Sequence, residues 1–203
     1  MRAFDVVDQF ERRIAEFAGA RHCVALASGT WAIFLSLKYR LPIPGLRVIV
    51  PARTFVSVPN AVLHAGGVPA FDNTAWRGTY ELKPWAIVDG ALRFRRGMYE
   101  QRTLHCLSFQ ARKHLNIGMG GAILTDDPVA NAWLRAARYS GRIGPHYRPQ
   151  DITFPGWLCY MTPEQAARGL HLLEYIRDDL PDQEIDYPDL SESPLYSGTK
   201  EPA

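Results

Sequence analysis

The sequence between residues 104 and 127 constrains the fold most, because it places one lysine in a short loop between two apolar segments. Residues 104–109 predict a buried strand, and the glycines after the lysine permit the chain to reverse into a second strand over residues 122–124. A lysine held between buried strands loses part of its hydration, which lowers its pKa and makes its amine a better nucleophile. The alternative interpretation is that Lys113 is an ordinary solvated loop lysine.

Other segments predict strands and helices in alternation, which is typical of an α/β protein. The N-terminal helix has an apolar stripe formed by Val7, Phe10, Ile14 and Phe17. A capping-box pattern begins another helix at Thr162. Further strands are predicted over residues 22–26, 48–51 and 85–89, and further helices over residues 31–39, 58–64 and 130–139.

Two positions in this pattern indicate contacts with a ligand. A turn of small residues, 27–30, joins a strand to a buried helix, so its free backbone N–H groups can bind an anion at the positive end of the helix dipole. The alternative is an ordinary helix cap. Asp89 ends a buried strand, at the place where carboxylates of α/β sheets point into the ligand crevice.

The lysine stretch, SFQARKHLNIGMGGAILTDD, resembles the lysine segment of the DegT/DnrJ/EryC1/StrS family. Members of that family are fold-type-I enzymes that use pyridoxal 5'-phosphate (PLP) and are best known as sugar-nucleotide aminotransferases. The resemblance implies that Lys113 carries the cofactor as an internal aldimine and that Ser108 contacts its phosphate. Gln110, which lies between these two residues, is included in the predicted cofactor site.

Three more segments are similar to motifs of the same family. The letters ASGT resemble its phosphate-binding turn, which implies phosphate contacts from Gly29, Thr30 and Trp31, mainly through backbone N–H groups. The segment around Phe55 resembles the one whose aromatic ring stacks on the pyridine ring of the cofactor. VDGA resembles the EDAA-type motif, which implies that Asp89 pairs with the pyridinium nitrogen and keeps the ring an electron sink.

The resemblance covers residues 7–176 and implies a three-layer α/β/α sandwich with a mostly parallel central sheet, like the large domain of PLP transferases. We therefore expect a minimal PLP-binding α/β domain over residues 1–177. Residues 178–203 are expected to form an acidic tail that is extended or disordered. We expect no counterpart of the small C-terminal domain that closes over the substrate in the family.

The net charge of +2 is unevenly distributed along the chain. Residues 178–203 contain eight acidic residues and one basic residue, a net charge of −7, so the preceding part carries +9. This excess suits an anionic small molecule, a nucleotide-linked substrate or a nucleic acid, and the alternative is that the acidic tail lies on the basic body. The arginine clusters comprise Arg93, Arg95, Arg96 and Arg102, and Arg135, Arg138, Arg142 and Arg148.

The remaining composition bears on location and assembly. No apolar run has the length of a membrane span, and the charged amphipathic N-terminus differs from a signal peptide. Three scattered cysteines argue against a disulfide framework and against a zinc site, so a cytoplasmic location is expected. A homodimer is also expected, because the resembled family builds its sites at subunit interfaces and apolar surface remains to be covered.

These features together predict a PLP-dependent enzyme that acts on an amine or amino acid through Lys113. It is expected to resemble an aminotransferase and to use a nucleotide-linked sugar as substrate. One alternative is a PLP-dependent decarboxylase or transaminase that acts on an amino-acid-modified nucleobase or DNA, because a site without a closing domain could accept a bulky substrate. Another alternative is a non-catalytic protein of the PLP fold that binds an anionic partner.

Overall fold

The computed structural model describes residues 3–145 and 152–199, and within them it contains each predicted helix and strand to within two residues. Two short strands, β3 and β4, were not predicted. The helices are α1 (Asp5–Ala18), α2 (Gly29–Arg40), α3 (Ser57–Ala65), α4 (Pro128–Ala137) and α5 (Pro163–Leu173). The strands are β1 (His22–Leu26), β2 (Arg47–Pro51), β3 (Val68–Asp72), β4 (Tyr80–Leu82), β5 (Ile87–Asp89), β6 (Leu104–Ser108) and β7 (Gly121–Thr125).

The central sheet has the strand order β1-β7-β6-β5-β4, and the prediction that it is mostly parallel was wrong. Only β5 and β6 pair in parallel among its described strands, while the other three pairs are antiparallel. The pairing of β6 with β7 follows from their short connection, which holds the lysine loop and therefore makes a hairpin rather than a crossover. Strands β2 and β3 form a separate parallel pair.

The predicted three-layer arrangement is confirmed by the two apolar cores on opposite faces of this sheet. Along β1, Val24 and Leu26 point into the core shared with α2, α3 and α4. Cys23 and Ala25 alternate with them and point into the core formed with α1 and α5. This alternation follows from the two-residue repeat of a strand and explains why β1 is apolar throughout.

Part of the basic surface that the sequence indicated is paired with acidic residues of the C-terminal part of the chain. Arg93 pairs with Asp182 and Arg96 pairs with Asp178, so the acidic C-terminal part lies on the basic body. Arg148 lies outside the described residues. These two ion pairs reduce the positive charge that the expected nucleic-acid partner would contact. None of the helices in the described part of the chain has the length and apolar character that crossing a membrane requires.

Helix α1 carries a buried carboxylate that joins it to the end of α4. Glu11 is 2% exposed and accepts hydrogen bonds from Arg138, from Arg135 at 2.5 Å and from the Ala25 backbone N–H at 2.8 Å. Arg138 is equally buried. A charged group at this depth is tolerated only because it is paired and hydrogen-bonded.

Glu11→Ala is therefore expected to lower the free energy of unfolding by about 3–5 kcal/mol, because it leaves the Arg138 guanidinium buried without its partner. Urea denaturation followed by circular dichroism measures this change. Asp8→Ala is the matched control, because Asp8 reaches Arg135 only at 3.6 Å and is exposed, so its loss should cost about 0–1 kcal/mol. Equal effects of the two substitutions would contradict the interpretation.

Candidate active site

A cavity of about 420 Å³ lies at the carboxyl ends of β5 and β6 and receives nearly all of the predicted site residues. This volume is in the range of pockets that bind small molecules and cofactors. The predicted residues that line the cavity are Gly29, Thr30, Phe55, Asp89, Ser108, Gln110 and Lys113. Trp31 does not line it: its backbone N–H donates to Ser28 Oγ as part of the helix cap, and its ring packs against Phe34.

The small-residue turn at the start of α2 is pressed against the ends of two strands. A Cβ on Gly29 would lie 2.9 Å from the Cβ of Ser108, at the end of β6. Gly121 is the first residue of β7, and a Cβ there would lie 2.4 Å from the Ser28 carbonyl carbon. Glycine is therefore required at both positions, and the Ser108 hydroxyl is brought beside the positive end of the α2 dipole.

Asp89 is buried at the end of β5 and is supported by a chain of hydrogen bonds. Its carboxylate accepts from Tyr80 Oη at 2.8 Å and from the Ala91 backbone N–H at 2.9 Å. Tyr80 Oη in turn lies 2.6 Å from Thr54 Oγ1. Burial raises the pKa of Asp89, and these hydrogen bonds and the charge of Lys113 oppose the shift. Among the described residues no ion-pair partner lies within 4 Å of the Asp89 carboxylate.

Lys113 lies in the loop between β6 and β7, as predicted, and the loop is held by its own backbone. Its N–H donates to the Gln110 carbonyl at 2.8 Å, and Gln110 Oε1 accepts from the Arg112 N–H at 2.9 Å. Burial lowers the pKa of Lys113, and the charge of Asp89 partly opposes this shift. The site therefore combines a partly desolvated amine with a desolvated carboxylate across one cavity.

Phe55 lies just before α3 and is 54% exposed, so it is not part of either apolar core. Its ring lines the cavity, and the ring centroid is 6.2 Å from that of Tyr187. A large aromatic ring that remains accessible at a cavity mouth has its face available for a ligand.

The sequence did not indicate several residues that support the site or line its cavity. Tyr80 pairs directly with Asp89 across the β4–β5 ladder, and the signal that could have indicated it was the alternation of Tyr80 and Leu82 with a charged residue between them. Ile185 and Tyr187 also line the cavity, although they lie in a polar segment without periodicity. No local sequence signal identifies these two.

Comparison with known proteins agrees with this geometry. Residues 2–88 and 95–184 match the model of the DegT/DnrJ/EryC1/StrS aminotransferase family. Spore coat polysaccharide biosynthesis protein SpsC of Bacillus subtilis is 28% identical over 85% of this chain and 57% of its own length. UDP-N-acetyl-3-dehydro-alpha-D-glucosamine 3-aminotransferase of Acidithiobacillus ferrooxidans is 43% identical over 30% of this chain and 16% of its own length.

The fold is also shared with a solved structure. The crystal structure of NtdA from Bacillus subtilis with bound cofactor PMP superposes with a TM-score of 0.71 at 24% identity, covering 84% of this chain and 48% of that one. This chain therefore spans about half the length of proteins that it matches over most of its own sequence. Because the family model matches most of the sequence, this chain belongs to the DegT/DnrJ/EryC1/StrS aminotransferase family, whose enzymes depend on pyridoxal phosphate.

Proposed function

We propose that this chain is a PLP-dependent aminotransferase that moves an amino group from an amino donor to the carbonyl carbon of a nucleotide-linked sugar. The observation that carries the proposal is the meeting of Lys113, Asp89 and the Gly29 turn around one cavity, although these residues are far apart in sequence. The nucleotide-sugar name of the Acidithiobacillus relative supports this substrate class.

The residues present fit the cofactor at each of its functional groups. Gly29 and Thr30 line the cavity at the start of α2 beside Ser108, so their backbone N–H groups and the Ser108 hydroxyl would hold a phosphate there. Among the described residues no cationic side chain lies within 4 Å of the buried Asp89 carboxylate, and a protonated ring nitrogen would supply a positive charge there. When bound, PLP supplies an aldehyde that a lysine amine can hold and a ring that withdraws electrons from a substrate carbon.

Each residue then has a defined task in the proposed reaction. Lys113 would hold the cofactor covalently, and its amine, when free, would move the proton at the substrate carbon. Asp89 would keep a proton on the ring nitrogen, and the hydrogen bond from Tyr80 fixes the orientation of its carboxylate. Phe55 would cover one face of the cofactor and exclude water from it.

The direct test is to add PLP to the purified protein, reduce it with borohydride and digest it. The expected result is visible absorption of the bound cofactor that borohydride bleaches, and a phosphopyridoxyl group on the peptide that contains Lys113. An amino donor added before reduction should remove the visible absorption and leave the peptide unmodified. A protein that takes up no PLP would refute the proposal and would leave a non-catalytic binding role.

We further propose that the chain forms a homodimer through the side on which the cavity opens. Phe55, Val56 and Met119 are exposed large apolar residues, and two of them line the cavity. Burying such a patch stabilises association through the hydrophobic effect.

Light scattering should give twice the mass of 22.9 kDa, and Met119→Glu should shift the distribution toward the monomer. A monodisperse monomer of the unmodified protein would contradict the proposal.

A further inference from the structure

The polar C-terminal part of the chain crosses the mouth of the cavity, and residues 181–190 are called the strap below. The strap has no regular secondary structure beyond an isolated bridge between Asp189 and Arg53. Two of its apolar residues, Ile185 and Tyr187, nevertheless line the cavity. A polar segment can hold its apolar side chains in a site only if contacts attach both of its ends to the rest of the protein. We call each such attachment a fixed point.

The first fixed point is an ion pair at the start of the strap. Arg93 Nε and Nη2 donate to the two carboxylate oxygens of Asp182 at 2.8 and 2.7 Å. The two side chains are only 20% and 9% exposed, and the arginine lowers the pKa of the Asp182 carboxyl. Gly78, with φ of +71°, makes room for this carboxylate, because a Cβ there would lie 2.4 Å from it.

The next contacts join the strap to both sequence neighbours of Lys113. Gln183 Nε2 donates to the Arg112 carbonyl at 2.8 Å. On the other side, His114 Nε2 lies 2.9 Å from the Pro181 carbonyl. The lysine loop is therefore held on each side of Lys113 by the strap.

The far end of the strap is fixed to the segment before α3. The Leu190 N–H donates to the Ala52 carbonyl at 2.9 Å, and the Leu190 side chain is buried. Beyond it, Tyr196 is buried and its hydroxyl donates to Asn60 Oδ1 at 2.6 Å. The strap is thus attached at both ends, and its middle spans the cavity.

Tyr187 occupies the middle of the span. Its ring is nearly parallel to that of Trp76, at 17° and a centroid distance of 6.2 Å, and lies at 53° to Phe55 at the same distance. Burial, and then the charge of Asp89, raises the pKa of Tyr187 to about 12, so its hydroxyl stays neutral and can donate a hydrogen bond. Tyr187 therefore forms a wall beside the ring proposed to cover the cofactor.

We propose that the strap is a positioning element of the active site, which holds the lysine loop through Arg112 and His114 and places Tyr187 as a wall that selects the substrate. The identity of the ligand in this statement rests on the proposed function. The coupling between strap and lysine loop does not, since it depends on contacts within the chain alone.

The coupling is tested without any ligand by amide hydrogen exchange on the full chain. Asp182→Asn removes the charge from the first fixed point and should speed exchange on the order of tenfold to a hundredfold, both in the strap and in residues 110–118. Asp178→Asn is the matched control, because it breaks the exposed ion pair with Arg96 and should leave residues 110–118 unchanged. Faster exchange in the strap with an unchanged lysine loop would overturn the coupling.

The wall is tested with the PLP-loaded protein and amino acids of increasing size, from alanine to tryptophan. We compare kcat/KM for small amino donors with kcat/KM for bulky ones. Tyr187→Ala should lower the small-to-bulky ratio about tenfold, because removing a wall relaxes discrimination by size. It should also weaken PLP binding, which equilibrium dialysis measures. Tyr175→Ala, which removes a tyrosine that is 72% exposed and does not line the cavity, should change neither quantity.

The outcomes separate the two proposals. An unchanged donor ratio and unchanged PLP affinity in Tyr187→Ala would refute its role as a wall. An unmodified protein that bound no PLP would refute the proposed function, while the hydrogen-exchange comparison would still decide whether the strap holds the lysine loop.

Discussion

Replacing Lys113 with alanine is expected to abolish covalent retention of PLP and to lower the transamination rate about 10²–10⁴-fold. The substitution removes both the amine that holds the cofactor and the base that moves the substrate proton. Absorption of the bound cofactor and borohydride reduction measure the first loss, and single-turnover kinetics measure the second. Lys38→Ala removes another of the four lysines of the chain and should change none of them.

The lowered pKa of Lys113 also predicts how its labelling by PLP depends on pH. Because burial lowers the pKa of Lys113, a larger fraction of its amine is unprotonated at a given pH than in the unfolded chain. Labelling by PLP and borohydride should therefore begin at Lys113 as the pH is raised, before the other lysines react. In Asp89→Asn the onset should move to lower pH, because the carboxylate that raises the pKa of Lys113 is gone. Uniform labelling of all lysines would contradict this assignment.

Asp89→Asn is expected to lower the rate about 10²-fold or more, because a neutral amide cannot keep the proton on the ring nitrogen. The amide can be accommodated in the site. Its oxygen can accept from the Ala91 N–H, and its NH₂ can donate to Tyr80 Oη, whose proton then turns to Thr54. Tyr80→Phe, which leaves the acid in place, should have a smaller effect. Equal rates for Asp89→Asn and the unmodified protein would remove Asp89 from the mechanism.

The stability of Asp89→Asn distinguishes a lost function from a lost fold. Burial raises the pKa of Asp89 above its ordinary value of 3.8, so the unfolded chain releases this proton at a lower pH than the folded chain does. Asp89 therefore lowers the free energy of unfolding of the ligand-free protein as the pH rises from its pKa in the unfolded chain to its pKa in the folded chain. This loss of stability persists at neutral pH. Asp89→Asn should be at least as stable at neutral pH, and the difference should vanish at acidic pH, as urea denaturation at several pH values would show.

Much of the site could be predicted because its chemistry lies in short contiguous segments. Lys113 and Ser108 belong to one strand-loop unit, and Gly29 belongs to another, so their motifs can be read without knowledge of tertiary contacts. Trp31 was placed in the site by its position in the turn, but its N–H is used by the cap of its own helix. The direction of β7 was also readable, because a glycine reversal after β6 requires antiparallel pairing.

The unpredicted parts depend on pairings between distant residues. β4 has only three residues and is defined by its ladder with β5, and the alternation of Tyr80 and Leu82 does not by itself indicate which strand β4 pairs with. The strap carries no periodicity, and its position follows from contacts such as that between Arg93 and Asp182, which are 89 residues apart. Long-range ion pairs of this kind require the folded geometry before they can be recognised.

The contact between Gly121 and the backbone of Ser28 has a consequence for redesign of this protein. Because no side chain fits between them, the hairpin that carries Lys113 and the turn that begins α2 share one rigid junction. Libraries made to alter substrate choice can randomise the strap residues Ile185 and Tyr187, while every clone must inherit glycine at 29 and 121.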